Sequence, residues 1–223
     1  EIMVFGREVF HFVENYFLYL LSRFIPVFFN QLHQAVQTEL LAPFIEYLGD
    51  PVGVQNDYFA GGRMELVGMH EAGSKAAELL SIFRQKDWPT FHIQHISVQE
   101  GASFFLPDSE GTQIHECIKP LNGEVVIQKH YPNSFRETSL LQQLESHDVK
   151  KLVLCGAMSH MCVDATTRAA FDHCFECTVV QDACATRDLA FNEKTIAAED
   201  VHGAFMAALG MVYARVIRLD EFK

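Results

Sequence analysis

The stretch Lys151-Leu152-Val153-Leu154-Cys155-Gly156-Ala157-Met158-Ser159-His160-Met161-Cys162-Val163-Asp164 decides the fold. Its first half is a short apolar run ending in glycine, the pattern of a strand buried on both faces, and its second half passes directly into helical spacing. A strand that feeds a helix in this way is half of a βαβ unit, and such units build parallel sheets. Cys162 then stands at a helix start, where unpaired backbone N–H groups and the positive end of the helix dipole favour thiolate over thiol. The thiolate is the form of sulfur that attacks a carbonyl carbon, so Cys162 is a candidate nucleophile. The competing reading is an inert core cysteine, since cysteine is among the residue types most often buried.

Working outward, Val125-Val126-Ile127-Gln128-Lys129 reads as a β-branched strand that ends in a cation. Strand ends on the C-terminal edge of a parallel sheet gather around one crevice, so Lys129 can meet a thiol far away in sequence and hold it as thiolate. Apolar residues at Ala72, Ala76, Leu79, Leu80 and Phe83 mark one face of a helix over Met69 to Lys86. A strand at Thr90–Ile96, a short helix from Thr138 to Glu145, a strand at Cys177–Gln181, a helix from about Lys194 to Gly210 and a strand at Tyr213–Leu219 complete the alternation. The pattern predicts an α/β chain with a doubly wound, Rossmann-like parallel sheet flanked by helices.

Four separated segments carry a family resemblance: Lys129, then Asn133-Ser134-Phe135-Arg136-Glu137-Thr138, then Gly156 to Asp164, then Asp182-Ala183-Cys184-Ala185-Thr186. Over about Gln55 to Leu219 the chain resembles the isochorismatase-like cysteine hydrolase family. The resemblance implies a hydrolase of small molecules with an Asp–Lys–Cys triad and no cofactor, its lysine and cysteine carried onto Lys129 and Cys162. It also implies an oxyanion hole formed by the backbone amides of Met158 and Cys162, and a cis peptide between Ala157 and Met158. Amides aimed in advance at a developing oxyanion are worth about 2.7–4 kcal/mol per donor.

The third triad member is the exception. Family members usually open with an apolar strand ending in Ile-Asp-x-Gln-Asn-Asp, and this chain reads Pro51-Val52-Gly53-Val54-Gln55-Asn56-Asp57. Gly53 stands where the general-base aspartate belongs. Asp50 lies three residues upstream and Asp57 matches a position that is usually structural, so neither is assigned the role. Loss of a positioned acid or base removes a factor of about 10²–10⁴ in rate, which leaves weak activity or a substitute group. Residues 45–51 are not an uninterrupted β-branched run, and Pro51 removes a ladder donor, so the first strand is expected to be short, displaced or absent.

Phe59, Phe104 and Phe135 match aromatic positions of the family and are expected to line the pocket, with subunit contact as the alternative. His95 is assigned to the pocket border, with a hydrogen-bonded core histidine as the alternative, and His160 is a proton carrier or pocket wall. His92 and His95, three apart on a strand, point to opposite faces and cannot easily share an ion. Cys174-Phe175-Glu176-Cys177 has the gap of a zinc half-site without a second pair and reads as a helix-to-strand turn. No metal is expected; the Asp-x-His motif of related nicotinamidases is missing.

The 223 residues, 49% apolar, suffice for one core plus an extension, and a formal charge of −12 without a Lys/Arg cluster argues against a nucleic-acid surface. Six cysteines without a regular framework suit free thiols in a reducing compartment, and a cytoplasmic location is expected. Residues 1–49 form an atypical apolar N-terminal extension, read as helical, ahead of a hydrolase domain over 50–223. Its Phe10–Phe29 segment carries Glu14 and Arg23, which argues against a membrane span, and Pro26 would kink it. Packing on the catalytic domain, joining a subunit interface in a homo-oligomer, and lying on a membrane are its options in that order.

The expected reaction is hydrolysis of an amide, ureido or similar C–N bond in a small molecule. True isochorismatases usually lack the cysteine. Vinyl-ether cleavage of the isochorismatase type, or a catalytically weak member that serves binding or assembly, are the alternatives.

Overall fold

Strand Tyr47–Val52 (β1) lies inside the main sheet, paired in parallel with a neighbour on either side. The computed structural model describes residues 47–222, with side chains from residue 53 onward. The N-terminal extension expected over residues 1–49 therefore falls outside the described residues, except for the start of β1.

The remaining strands of this sheet are Phe91–His95 (β2), Val125–Lys129 (β3), Lys151–Ala157 (β4), Glu176–Ala185 (β5) and, after a small hairpin of Leu189–Phe191 (β6) and Lys194–Ile196 (β7), Arg215–Ile217 (β8). Their order is β3-β2-β1-β4-β5-β8, and every adjacent pair is parallel. The chain winds outward from β1 to β3, returns to the middle, and winds the other way from β4. That reversal is the switch point of a doubly wound sheet, the place, outside the carboxyl ends of β1 and β4, where folds of this kind bind ligands.

The first strand is a correction. Pro51 did not prevent its formation, because β1 runs in continuous register with β4, from Tyr47 opposite Lys151 to Val52 opposite Gly156. The contact with β2 is confined to its last residue, Val52 opposite Ile93, extended by the Gly53 N–H donating to the Ile93 carbonyl at 3.1 Å. A missing donor at position 51 matters less where one flank of the strand is already sparsely paired.

Helices Met69–Gln85 (α1), Leu140–Ser146 (α2), Asp164–Asp172 (α3) and Ala198–Val212 (α4) flank the sheet. In α1, Ala72, Ala76, Leu79, Leu80 and Phe83 are all buried, the face that the spacing predicted. The helix expected from Lys194 begins at Ala198, because Asn192 and Glu193 take positive φ angles of 47° and 62° and close the β6–β7 hairpin instead. Cys174 is an exposed turn residue at φ 67° between α3 and β5, and Cys177 is buried within β5. None of the described helices is long and apolar enough to cross a membrane.

Phe83 has no exposed surface and packs edge-on to Trp88 at 5.2 Å and stacked with Phe222 at 5.9 Å. Phe83→Ala is expected to lower the unfolding free energy by about 3–5 kcal/mol in a denaturant titration. Val212→Ala, at a side chain 63% exposed, is expected to stay within about 0.5 kcal/mol of the parent.

Candidate active site

Sheet register brings the separated motifs to one edge. Lys129 ends β3 directly opposite His95, which ends β2, while Val52 lies opposite Gly156 and Ala157 opposite Ala185. All of these are carboxyl-terminal strand ends of the same parallel sheet.

Beyond β4 the Ala157–Met158 peptide is cis. Ser159 to Val163 then form a single wide π-helical turn that continues into α3. The amides of Met161 and Val163 both donate to the Met158 carbonyl, at 3.0 and 3.2 Å, and the Cys162 amide lies between them. Cys162 is buried, 5% exposed, in the first turn of this helix. The helix start foreseen for it is therefore present, one residue group earlier than α3 proper.

Lys129 has no exposed surface. Its ammonium donates to the Pro132 carbonyl at 2.6 Å and to the Ser134 hydroxyl at 3.3 Å. Ser134 is joined in turn to Thr166, hydroxyl to hydroxyl at 2.9 Å, and its amide donates to the same Thr166 oxygen at 3.0 Å. Thr166 belongs to α3, one turn beyond Cys162, so the lysine head is tied to the helix that presents the thiol. Among the described residues no carboxylate forms an ion pair with Lys129.

Tyr58, Phe104, Phe105 and His95 form an aromatic wall. Tyr58 meets Phe105 edge-on at 4.7 Å and Phe104 at 6.2 Å, and His95 lies 5.7 Å from Phe105. Burial, and then negative charge on Cys162 and on Asp57, push the Tyr58 phenol well above its usual range, so the phenol stays neutral. Burial, followed by the positive charge of Lys129 and of His130, lowers His95 to about 4. His95 is therefore a neutral ring at the strand end opposite Lys129.

The Gln55-Asn56-Asp57 run is a brace. Gln55 donates to the carbonyls of His95 and Thr112 at 2.9 and 2.8 Å and accepts from the His95 amide at 2.7 Å. Asn56 donates to the Glu110 carbonyl at 3.0 Å, and Asp57 accepts from the amides of Arg63 and Phe105 at 3.1 and 2.6 Å. Both Asp57 oxygens are thus committed to loop backbone, which agrees with a structural rather than a catalytic position. Gly53 has a φ of 64°, and a Cβ built there would sit 3.1 Å from the Ala157 carbonyl oxygen and 4.0 Å from the Tyr58 ring. Position 53 faces the turn that carries Cys162, although it bears no side chain.

Other expected pocket residues lie elsewhere. Phe59 stacks on His115 at 3.5 Å, with His70 edge-on at 5.3 Å, and lines a cleft of about 430 Å³ whose walls include neither Cys162 nor Lys129. Phe135 packs on His173 and Phe175, beyond the C-terminal end of α3, because Ser134 is drawn to Thr166 and the next side chain passes down the helix. His160 is bonded to the Thr186 hydroxyl and meets Phe205 of α4 edge-on at 6.0 Å, so its ring faces β5 and α4. Burial, and then the charge of Arg187, lower its pKa. His92 is a fully buried core residue bonded to the Glu124 carboxylate at 2.8 Å, on the sheet face opposite His95.

Sequence reasoning missed Gln55, Ser134, Thr166, Ser159 and His202. All but His202 were in view inside quoted motifs or beside them, but nothing in their spacing announced which groups they would reach.

The model of the isochorismatase domain matches residues 52–209. The chain is 51% identical over 171 residues to an uncharacterised isochorismatase family protein of Bacillus subtilis, YddQ, covering 77% of this chain and 95% of that one. A crystal structure described as an isochorismatase hydrolase from Oleispira antarctica superposes with a TM-score of 0.77 at 47% identity, over 79% of this chain and 95% of the other. Nicotinamidase 3 of Arabidopsis thaliana is 29% identical over 119 residues, 51% of this chain and 55% of that protein. The chain belongs to the isochorismatase family, whose members are hydrolases acting on small molecules.

The lowered value of His95 sets a pH dependence. Its unfolded counterpart takes up a proton below about 6.5 while the folded ring stays neutral to about 4, so the unfolded state binds more protons in that window. Stability is therefore expected to fall as pH drops from about 6.5 to 4, and a His95→Gln variant should show a flatter profile in thermal melts over the same range. In a proton NMR titration the His95 ring resonance should hold still down to about pH 5.

Proposed function

We propose that the chain is a cysteine-dependent hydrolase of C–N bonds, of the amide or ureido type. The observation that carries this reading is the join between Lys129 and α3: a wholly buried ammonium linked through Ser134 to Thr166, one turn from a buried thiol in the helix's first turn. A buried cation without a carboxylate partner is costly unless an anion balances it, and a thiolate at Cys162 is the anion this site offers. The nicotinamidase relative adds weight to an amide as substrate.

In this mechanism the Cys162 sulfur attacks the carbonyl carbon, and the oxyanion is received by the amides of Met158 and Cys162. Collapse of the tetrahedral adduct breaks the C–N bond, and the nitrogen leaves with a proton from the Lys129 ammonium. Water then attacks the thioester, returns one proton to Lys129, and releases the acid and the Cys162 thiolate. Tyr58, Phe104 and His95 enclose the reacting group. Without a carboxylate at position 53, proton movement falls to Lys129 and water, and turnover is slower by about 10²–10⁴ than with a positioned base. That deficit is the specific support for the second reading, a weak enzyme retained for binding.

Cys162→Ala is expected to abolish hydrolysis across a panel of small primary amides and ureido acids. Lys129→Met is expected to suppress alkylation of Cys162 by iodoacetamide at neutral pH, mapped by peptide mass. Retention of full hydrolysis by Cys162→Ala would overturn the reading.

Gly53→Asp is expected to raise kcat while lowering stability by about 1–3 kcal/mol, since positive φ strains any side chain, though aspartate is among those that tolerate it best. Gly53→Ala carries the same backbone strain without the carboxylate and should show no gain. An unchanged kcat in a folded Gly53→Asp protein would place the proton transfer on another group.

A further inference from the structure

Ser159 is the first residue of the turn that carries Cys162, and it has no exposed surface. Its hydroxyl donates to the Ala185 carbonyl at the end of β5, at 3.2 Å, and lies 2.8 Å from Nδ1 of His202 on α4. A hydroxyl carries one proton. With that proton directed at Ala185, the bond to His202 requires that Nδ1 carry hydrogen and donate to the Ser159 oxygen. The chain of donors then runs one way, from His202 through Ser159 to the backbone of β5. Burial lowers the His202 pKa, so the ring is neutral and carries a single hydrogen; with that hydrogen on Nδ1 for the bond to Ser159, Nε2 carries none.

The position of this link matters more than its strength. The Ala157–Met158 peptide precedes Ser159, and the Met158 carbonyl is the acceptor on which the amides of Met161 and Val163 converge. Ser159 thus sits at the junction between strand and turn, and its side chain is anchored on two different elements, β5 and α4. Rotation of the turn about the helix axis would swing both the Cys162 sulfur and the amides at Met158 and Cys162. The backbone bonds within the turn do not prevent that rotation, since they move with it. An anchor outside the turn does.

We propose that His202 is a positioning residue for the nucleophile: through Ser159 it fixes the rotation of the Cys162 turn, and so the alignment of the sulfur with its amide donors. The inference rests on the cysteine-hydrolase reading, and the experiment separates the two. The readout is the rate of iodoacetamide alkylation at Cys162 as a function of pH, mapped by peptide mass, on the full chain. The parent protein should be alkylated faster than free cysteine at neutral pH.

His202→Leu and Ser159→Ala should lower the rate at neutral pH by about 10- to 100-fold and move the profile toward that of free cysteine. His202→Asn, which can place an amide N–H near the Nδ1 position, should recover most of the rate; His202→Gln, whose amide lies farther out, should not. A role confined to packing would lower the melting temperature in all four variants and leave the alkylation profile unmoved, and that result would overturn the proposal. Should His202→Leu fail to fold, Ser159→Ala, which deletes one oxygen, decides alone. If the parent protein reacts no faster than free cysteine, it is the hydrolase reading that falls, and the positioning role with it.

Discussion

A lysine ammonium with no exposed surface must be solvated by the protein, and that requirement organises the site. The Lys129 head is satisfied by the Pro132 carbonyl and the Ser134 hydroxyl. Leaving such a group unpaired would cost several kcal/mol, so the loop after β3 has little freedom to rearrange. The same loop is bonded to Thr166 of α3 through both the amide and the hydroxyl of Ser134. The position of the cation and the position of the cysteine helix are thereby coupled, and neither can shift without breaking buried polar contacts.

The parallel sheet supplies the second constraint. Because every pair in the order β3-β2-β1-β4-β5-β8 is parallel, side chains at strand ends accumulate on one edge whatever their distance in sequence. Gln55 secures this edge by bonding both the amide and the carbonyl of His95, the residue that faces Lys129 across β2 and β3. The opposite face of β2 is held differently, by His92, Glu124 and Arg84. There the Arg84 guanidinium is the main cause that brings the Glu124 carboxyl down to about 2, with the His92 contact adding to it.

Position 53 shows how backbone geometry and chemistry pull against each other. A residue that turns the chain out of β1 at φ 64° suits glycine, and the nearby Ala157 carbonyl leaves little room for a side chain. The turn geometry found here is therefore the one a glycine permits, and the missing carboxylate and the local backbone are two aspects of one substitution. The aromatic wall of Tyr58, Phe104 and Phe105 remains in place around the gap.

The sequence by itself determined the alternation of strands and helices, the buried face of α1, the helix start at Cys162, the strand end at Lys129 and the glycine at position 53. These are legible because they depend on local periodicity, residue type and motif interval, which act within a few residues of chain. The presence of β1 despite Pro51, the placement of Phe59 and Phe135 away from the thiol, and the partners of Ser134, Ser159 and His202 were decided only by tertiary structure. Each depends on which distant backbone group or ring comes within reach after the sheet has assembled: β4 accommodates a strand with a missing donor, Thr166 draws Ser134 inward, and Ala185 and α4 meet Ser159 from two sides. Hydrogen bonds between residues tens of positions apart leave no periodic trace in the chain, so they become visible only once the fold has brought their ends together.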